Sequence, residues 1–172
     1  MNKAKVAIIL GSDSDLGVVS EAAKFLDEQE IAYDLNILST HRTPQETINF
    51  AINAKANGFK VIIAAAGGAA ALPGSIASLT TLPVIGVPIK SNSMEGLDSL
   101  LSMVQMPPGV PVATVAINGA KNAAILALEI LATSDAGIST KLDNYKKGMK
   151  KNIQDKSKEL KAKGYKKYLL DK

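Results

Sequence analysis

A single histidine, His41, stands in the stretch Leu38-Ser39-Thr40-His41-Arg42-Thr43-Pro44, between two hydroxyl residues on one side and an arginine on the other. Histidine is the side-chain type whose ordinary pKa lies near neutrality, so this residue is the chain's candidate for both giving and taking a proton. Its neighbour Arg42 offers a planar fork of donors that can hold two oxygens of one phosphate. A lone histidine in a polar stretch also reads as ordinary surface loop. The choice turns on what the rest of the chain places beside it.

Two other stretches could meet it. In Gly11-Ser12-Asp13-Ser14-Asp15, Ser12 is a candidate helix N-cap with Asp15 three residues on. Backbone N–H groups at such a helix start point outward with the positive end of the dipole behind them, which suits a phosphate; an ordinary capped helix start fits the same residues equally well. No Walker lysine follows, and the glycine spacing is not a dinucleotide fingerprint, so ATP and NAD are disfavoured. The stretch Ala65-Ala66-Gly67-Gly68-Ala69-Ala70-Ala71-Leu72-Pro73-Gly74 is almost free of bulky side chains. It would let backbone approach a flat ligand and give a smooth dry wall, or serve tight helix-to-sheet packing.

These pieces come together only if the elements between them bring them together. Short apolar runs rich in Val and Ile, at 5–11, 33–39, 60–67, 83–88 and 112–117, read as strands buried on both faces. Amphipathic stretches at 13–29, 44–57, 72–80, 94–104 and 119–133 separate them, so five βα repeats predict a parallel sheet with right-handed crossovers and helices on both sides. The predicted fold is a flavodoxin-like three-layer α/β sandwich, since a closed eight-fold barrel needs more than 172 residues. Ligands then bind at the carboxyl ends of the strands, which is where Ser12, His41, Gly67 and the segment Lys90-Ser91-Asn92-Ser93 all fall. Thr43-Pro44-Gln45-Glu46 predicts a capping box with proline at the first helical position, fixing His41 and Arg42 on a ledge before the second helix.

Composition narrows the chemistry further. With no cysteine, the chain has no disulfide, no thiolate metal site and no cysteine nucleophile, and one histidine is too few for a transition-metal centre. No cofactor or metal is expected. No run approaches the ~18 apolar residues of a membrane span, and the start lacks a signal peptide's apolar region, so a soluble cytoplasmic protein without membrane partners is predicted. The formal charge of +4 is unevenly spread: residues 1–140 hold 8 Lys+Arg against 12 Asp+Glu, and residues 141–172 hold 12 against 4. Ile138, Leu142, Tyr145, Met149, Ile153 and Leu160 recur mostly three or four apart there, which predicts an amphipathic helix over 138–160 with a lysine-rich outer face. Such a face, with no known nucleic-acid-binding motif, reads as solvated surface rather than a nucleic-acid site. The chain divides into a catalytic domain over 1–135 and a helical extension over 136–172.

The segments "GSDSD", "STHRTP", "AAAGGAAALPG", "PVIGVP", "GLDSLLSMVQMPPGVPVATVAI" and "NAAILALEIL" together resemble the N5-carboxyaminoimidazole ribonucleotide mutase (PurE) family of purine biosynthesis, in the same order and over residues 5–134. The resemblance implies a flavodoxin-like subunit of a homo-octamer that moves a carboxylate from the exocyclic nitrogen of an aminoimidazole ribotide to ring carbon 4, without a cofactor. It implies that Ser12, Ser14 and Arg42 hold the 5′-phosphate, Asp15 the ribose, and Ser39, Ala66 and Gly67 the base and carboxylate, with His41 as general acid and base. The extension would pack on neighbouring subunits. At one position the chain departs from the pattern: bacterial members usually carry histidine where this chain has Ala71, which removes a contact near the migrating carboxylate. Two other functions remain to be distinguished. The family's carboxylase branch takes free CO2 on the same core motifs, and a non-enzymatic receiver module would need a phosphorylatable aspartate after the third strand, where this chain has Ala65-Ala66-Gly67.

Overall fold

The structure is a computed structural model that describes residues 4–171. Twelve elements follow one another in the described chain, beginning with β1 (Val6–Leu10), a 3-10 turn (Asp13–Asp15), α1 (Leu16–Glu28), β2 (Tyr33–Ile37), α2 (Pro44–Asn53) and β3 (Val61–Gly67). They continue with α3 (Leu72–Ala77), β4 (Val84–Ile89), α4 (Leu97–Val104), β5 (Ala113–Thr114), α5 (Ala120–Ala132) and α6 (Ala136–Leu170). All four strand pairings are parallel, and the order across the sheet is β2-β1-β3-β4-β5. That order reverses direction between β1 and β3, the topological switch point of a flavodoxin-like sheet.

Every residue of β1 is fully buried, and β3 and β4 are buried throughout except for Gly67 at the carboxyl end of β3. Side chains of one parity, Ala7, Ile9, Ile62, Ala64, Ala66 and Val84, share a cluster with Ala51 of α2, Leu72 and Ile76 of α3, and Met103 of α4. Ile8, Leu10, Ile63, Ala65, Ile85 and Val87 have the opposite parity and are equally buried. They face the layer formed by α1 and α5, which meet where the Lys121 ammonium lies 5.5 Å from the centre of the Phe25 ring. Burying each large aliphatic side chain contributes roughly 1.5–3 kcal/mol, so this double-faced core is what holds the strand ends in place.

Two strands differ from the sequence expectation. β2 lies at one edge of the sheet and is half-exposed, with Asp34, Asn36 and Ile37 open to solvent, so it is not buried on both faces. Its alternation of exposed Asp34 and Asn36 with partly buried Tyr33 and Leu35 is the one-sided pattern of a partly solvated strand. β5, at the other edge, keeps only two ladder residues of the six expected over 112–117. Edge position removes one row of hydrogen bonds, and short edge strands also limit unwanted pairing.

The chain separates into two compact units, Met1–Leu131 and Ala132–Lys172. The second unit is dominated by α6, which is longer than the expected 138–160. Asp135 caps it, its carboxylate accepting the N–H groups of Gly137 (3.1 Å) and Ile138 (3.2 Å). Gly164 interrupts it with φ 72° and ψ 156°, a backbone conformation that side chains with a Cβ rarely adopt. Ile138 and Leu142 are buried, whereas Met149, Ile153 and Leu160 on the same repeat are exposed. No helix among the described residues is long and apolar enough to cross a membrane.

Candidate active site

A cleft of about 640 Å³ opens at the carboxyl ends of the strands, across the switch point between β1 and β3. Gly11, Ser12, Ser14 and Asp15 reach it from β1, and Ser39, Thr40, His41 and Arg42 from β2. Ala66, Gly67, Ala70, Ala71 and Leu72 line it from β3 and the start of α3, and Ile89, Lys90, Ser91 and Asn92 from β4. All eight residues expected from the sequence to make the site therefore share one cavity.

The ledge that carries His41 is built on Ser39. Thr43 turns its hydroxyl back to that residue, accepting the Ser39 N–H (2.9 Å) and donating to the Ser39 carbonyl (3.2 Å). The Thr43 N–H also reaches this carbonyl, at 2.7 Å, and the N–H of Arg42 does so at 3.2 Å. The expected capping box is therefore absent, because the hydroxyl that would cap α2 instead closes the turn holding His41. Pro44 still occupies the first turn of α2, with its φ preset for helix. His41 is exposed at the cleft wall, and its imidazole has no hydrogen-bond partner among the described residues.

Arg42 bridges two strand ends. Its Nη2 donates to the carbonyl of Gly11 at 2.7 Å, and its Nε and backbone N–H each donate to the Ser39 hydroxyl oxygen at 3.3 Å. The guanidinium is thus pinned beside the β1 loop with further N–H donors left over, and the Ser39 hydroxyl, having accepted two N–H groups, keeps its own proton for a ligand.

The β1 loop differs from the open seat of backbone N–H groups that the sequence suggested. The Ser14 N–H is already shared between the Ser12 hydroxyl (3.3 Å) and the Asp13 carboxylate (3.1 Å), and the Asp15 N–H bonds the Ser12 carbonyl (3.1 Å). Ser12 caps a single 3-10 turn, and α1 begins only at Leu16. The two serine hydroxyls point their protons at Asp13 and Asp15, each at 3.1 Å. The hydroxyl protons of Ser12 and Ser14 are thus engaged with the loop's own carboxylates, and the cation pinned beside this loop is Arg42. Burial pushes the Asp15 carboxyl above its ordinary value, against the lowering effects of the Ser14 hydroxyl and the nearby Arg42 charge.

The third wall is apolar, as its composition suggested, and it is also strained. Gly68 and Ala70 both have positive φ, 61° and 44°, as the chain leaves β3 and folds back towards α3. For Ala70, with its Cβ, that conformation costs on the order of 1 kcal/mol, a cost the surrounding packing must offset. Ala71 follows in ordinary helical geometry at the N-cap of α3 and faces the cleft.

Thr40 and the β4 residues Ile89, Lys90, Ser91 and Asn92 also line the cleft, and no motif in the sequence marks them. The Thr40 hydroxyl oxygen is buried without a hydrogen-bond partner. The signal available for the β4 group was position alone, at a strand's carboxyl end on the ligand-binding edge.

A doubly covered parallel sheet of this strand order, with a cleft at its switch point, defines a flavodoxin-like α/β protein. The AIR carboxylase family matches residues 5–152, and the chain belongs to that family. It is 57% identical to the N5-carboxyaminoimidazole ribonucleotide mutase of Pyrococcus horikoshii, over 98% of this chain and 96% of that one. Identity to the mutase of the same name from Thermotoga maritima is 55%, covering 98% of each. The phosphoribosylaminoimidazole carboxylase of Schizosaccharomyces pombe is 50% identical, with 95% of this chain matching only 30% of that longer protein. Among solved structures, Treponema denticola PurE superimposes with a TM-score of 0.80 at 32% identity, covering 89% of this chain and 96% of the other.

Proposed function

We propose that this chain interconverts N5-carboxyaminoimidazole ribonucleotide and 4-carboxy-5-aminoimidazole ribonucleotide in purine biosynthesis, with His41 as the group that moves the proton. The observation that carries the reading is the convergence of His41, Arg42 and the two β1 serines on one cleft, in a chain similar along nearly its whole length to proteins of that activity.

The reaction exchanges one bond for another. The exocyclic N–CO2 bond breaks, His41 gives a proton to the departing nitrogen, and free CO2 remains beside aminoimidazole ribotide. Ring carbon 4 then attacks CO2, and the tetrahedral carbon so formed returns its proton to His41 as the ring regains aromaticity. One imidazole balances the cycle, because the proton given to nitrogen equals the proton taken from carbon. Ser12, Ser14 and Arg42 hold the 5′-phosphate, Asp15 accepts from the ribose, and Ser39, Ala66 and Gly67 line the base and carboxylate. The apolar wall from Ala66 to Leu72 offers CO2 no water or nucleophile, which favours recapture over escape. Offering the N5-carboxylated ribotide, and separately aminoimidazole ribotide with bicarbonate, tests the assignment. Turnover of the first at the higher rate is expected; turnover of the second alone would make the chain a carboxylase.

Ala71 leaves the wall one donor short of the pattern its resemblance implied. Ala71→His adds an imidazole at the N-cap of α3, where it faces the cleft without entering the sheet core. Activity is expected to rise, since a donor aimed at the migrating carboxylate stabilises charge that alanine cannot touch. Steady-state rates of the two proteins decide this, and an unchanged or lower rate would mean that the wall works as it stands.

The protein acts as a cytoplasmic homo-octamer with two parts, a catalytic domain over 1–135 and an extension over 136–172 that packs on neighbouring subunits. Exposed apolar residues support the assembly. On α4, Leu97, Leu101 and Val104 recur on one face, and on α6, Met149, Ile153 and Leu160 form a second exposed row. Deleting residues 136–172 is expected to yield smaller assemblies or aggregates in light scattering. An intact octamer would remove the extension from the assembly.

A further inference from the structure

The cleft has two cations at its rim, and the proposed reaction assigns work to only one. Arg42 stands at the carboxyl end of β2 and reaches towards β1. Lys90 stands at the carboxyl end of β4, three strand positions away in the order β2-β1-β3-β4, or about 14 Å at the usual strand spacing. The ribotide is itself anionic at two ends, phosphate at one and migrating carboxylate at the other. With the phosphate held at the β1 and β2 loops, the other end extends towards β3 and β4.

The backbone at Lys90 is held on all sides. Its N–H donates to the side-chain oxygen of Asn118 at 2.9 Å, and the preceding carbonyl, that of Ile89, accepts from the buried Ser99 hydroxyl at 2.8 Å. Gly96 packs against it so closely that a Cβ there would lie 3.1 Å from the Lys90 Cα. The next residue, Ser91, donates to the carboxylate of Asp98 at 2.9 Å. The lysine side chain is about half exposed, and its ammonium pairs with Glu95. Both partners of that pair are more than half exposed, so it is weak and readily exchanged for a better anion.

We infer that Lys90 is a specificity-determining residue: it leaves Glu95 to bind the carboxylate of the carboxylated ribotides, and so separates them from the uncarboxylated ribotide. The inference rests on the proposed mutase function. It gives the migrating carboxylate a cation from β4, on a cleft wall that otherwise presents alanine, glycine and leucine at β3. Glu95 keeps the ammonium at the rim until a carboxylate arrives.

Calorimetric titration of the full-length protein with 4-carboxy-5-aminoimidazole ribotide and with aminoimidazole ribotide tests it. Lys90→Met is expected to weaken binding of the carboxylated ribotide about tenfold, as for one lost charge-assisted hydrogen bond, and to leave aminoimidazole ribotide within about twofold. Lys90→Arg restores the preference, and Glu95→Gln preserves it. A loss in Lys90→Met that is equal for the two ligands, or absent from both, would overturn the role of Lys90 while leaving the mutase assignment standing. A parent protein that binds neither ribotide would overturn both.

Discussion

His41→Asn lowers kcat by ~10²–10⁴-fold and leaves the affinity for the ribotide near that of the parent. The amide keeps the size and polarity of the imidazole, and the turn beneath it depends on Ser39 and Thr43 rather than on the ring. The substitution therefore removes the proton carrier without moving Arg42 or the β1 loop. Because one imidazole both supplies the nitrogen proton and removes the carbon proton, no second group takes over either half of the cycle. Rapid-quench assays with saturating substrate, paired with calorimetric binding, separate the two quantities. A rate within about tenfold of the parent would take the proton transfer away from His41.

Arg42→Ala acts on binding rather than on chemistry. The guanidinium joins the Gly11 carbonyl to the Ser39 hydroxyl, and on the proposed function its remaining donors are the ones that hold the phosphate. A bidentate pair with a phosphate consists of two charge-assisted hydrogen bonds, each worth about 1.5–3 kcal/mol, so KM should rise by ~10²-fold or more. The Ser12 and Ser14 hydroxyls carry no charge, so they cannot replace the guanidinium's charge-assisted pair. Comparing the ribotide with its dephosphorylated nucleoside isolates the effect: binding of the nucleoside should hardly change. An equal loss for the two would place the phosphate elsewhere. Arg42→Lys recovers only part of the affinity, because an ammonium cannot span the same two oxygens.

Much of this is legible in the chain itself. Continuous apolar runs such as Val61–Ala66 can be buried on two faces only in a covered parallel sheet, so the layer order followed from the runs and their spacing. That sheet then fixed the edge on which His41, Arg42, Ser12 and Gly67 meet, since ligand sites in such sheets lie at carboxyl strand ends. Local hydrogen bonding was not legible, because it depends on competition between partners of similar strength. Thr43 could cap α2 or close the His41 turn, and it closes the turn. Ser12 and Ser14 could face outward or bond their acidic neighbours, and they bond the neighbours. The edge position of β2 was written in the alternation of Asp34 and Asn36 with apolar residues, a pattern outweighed by the run's overall hydrophobicity. Lys90 carried no motif at all, and only the order of the strands places it opposite Arg42.

Recapture at carbon of the same carboxylate that leaves nitrogen, within one cleft, can be followed by isotope. N5-carboxyaminoimidazole ribotide labelled with carbon-13 in its carboxylate is mixed with excess protein in unlabelled bicarbonate buffer, quenched within a single turnover, and the 4-carboxylated product analysed by mass spectrometry. Retention of the label at the carbon-4 carboxylate is expected. Product bearing unlabelled carboxylate, with the label lost to the bicarbonate pool, would contradict it.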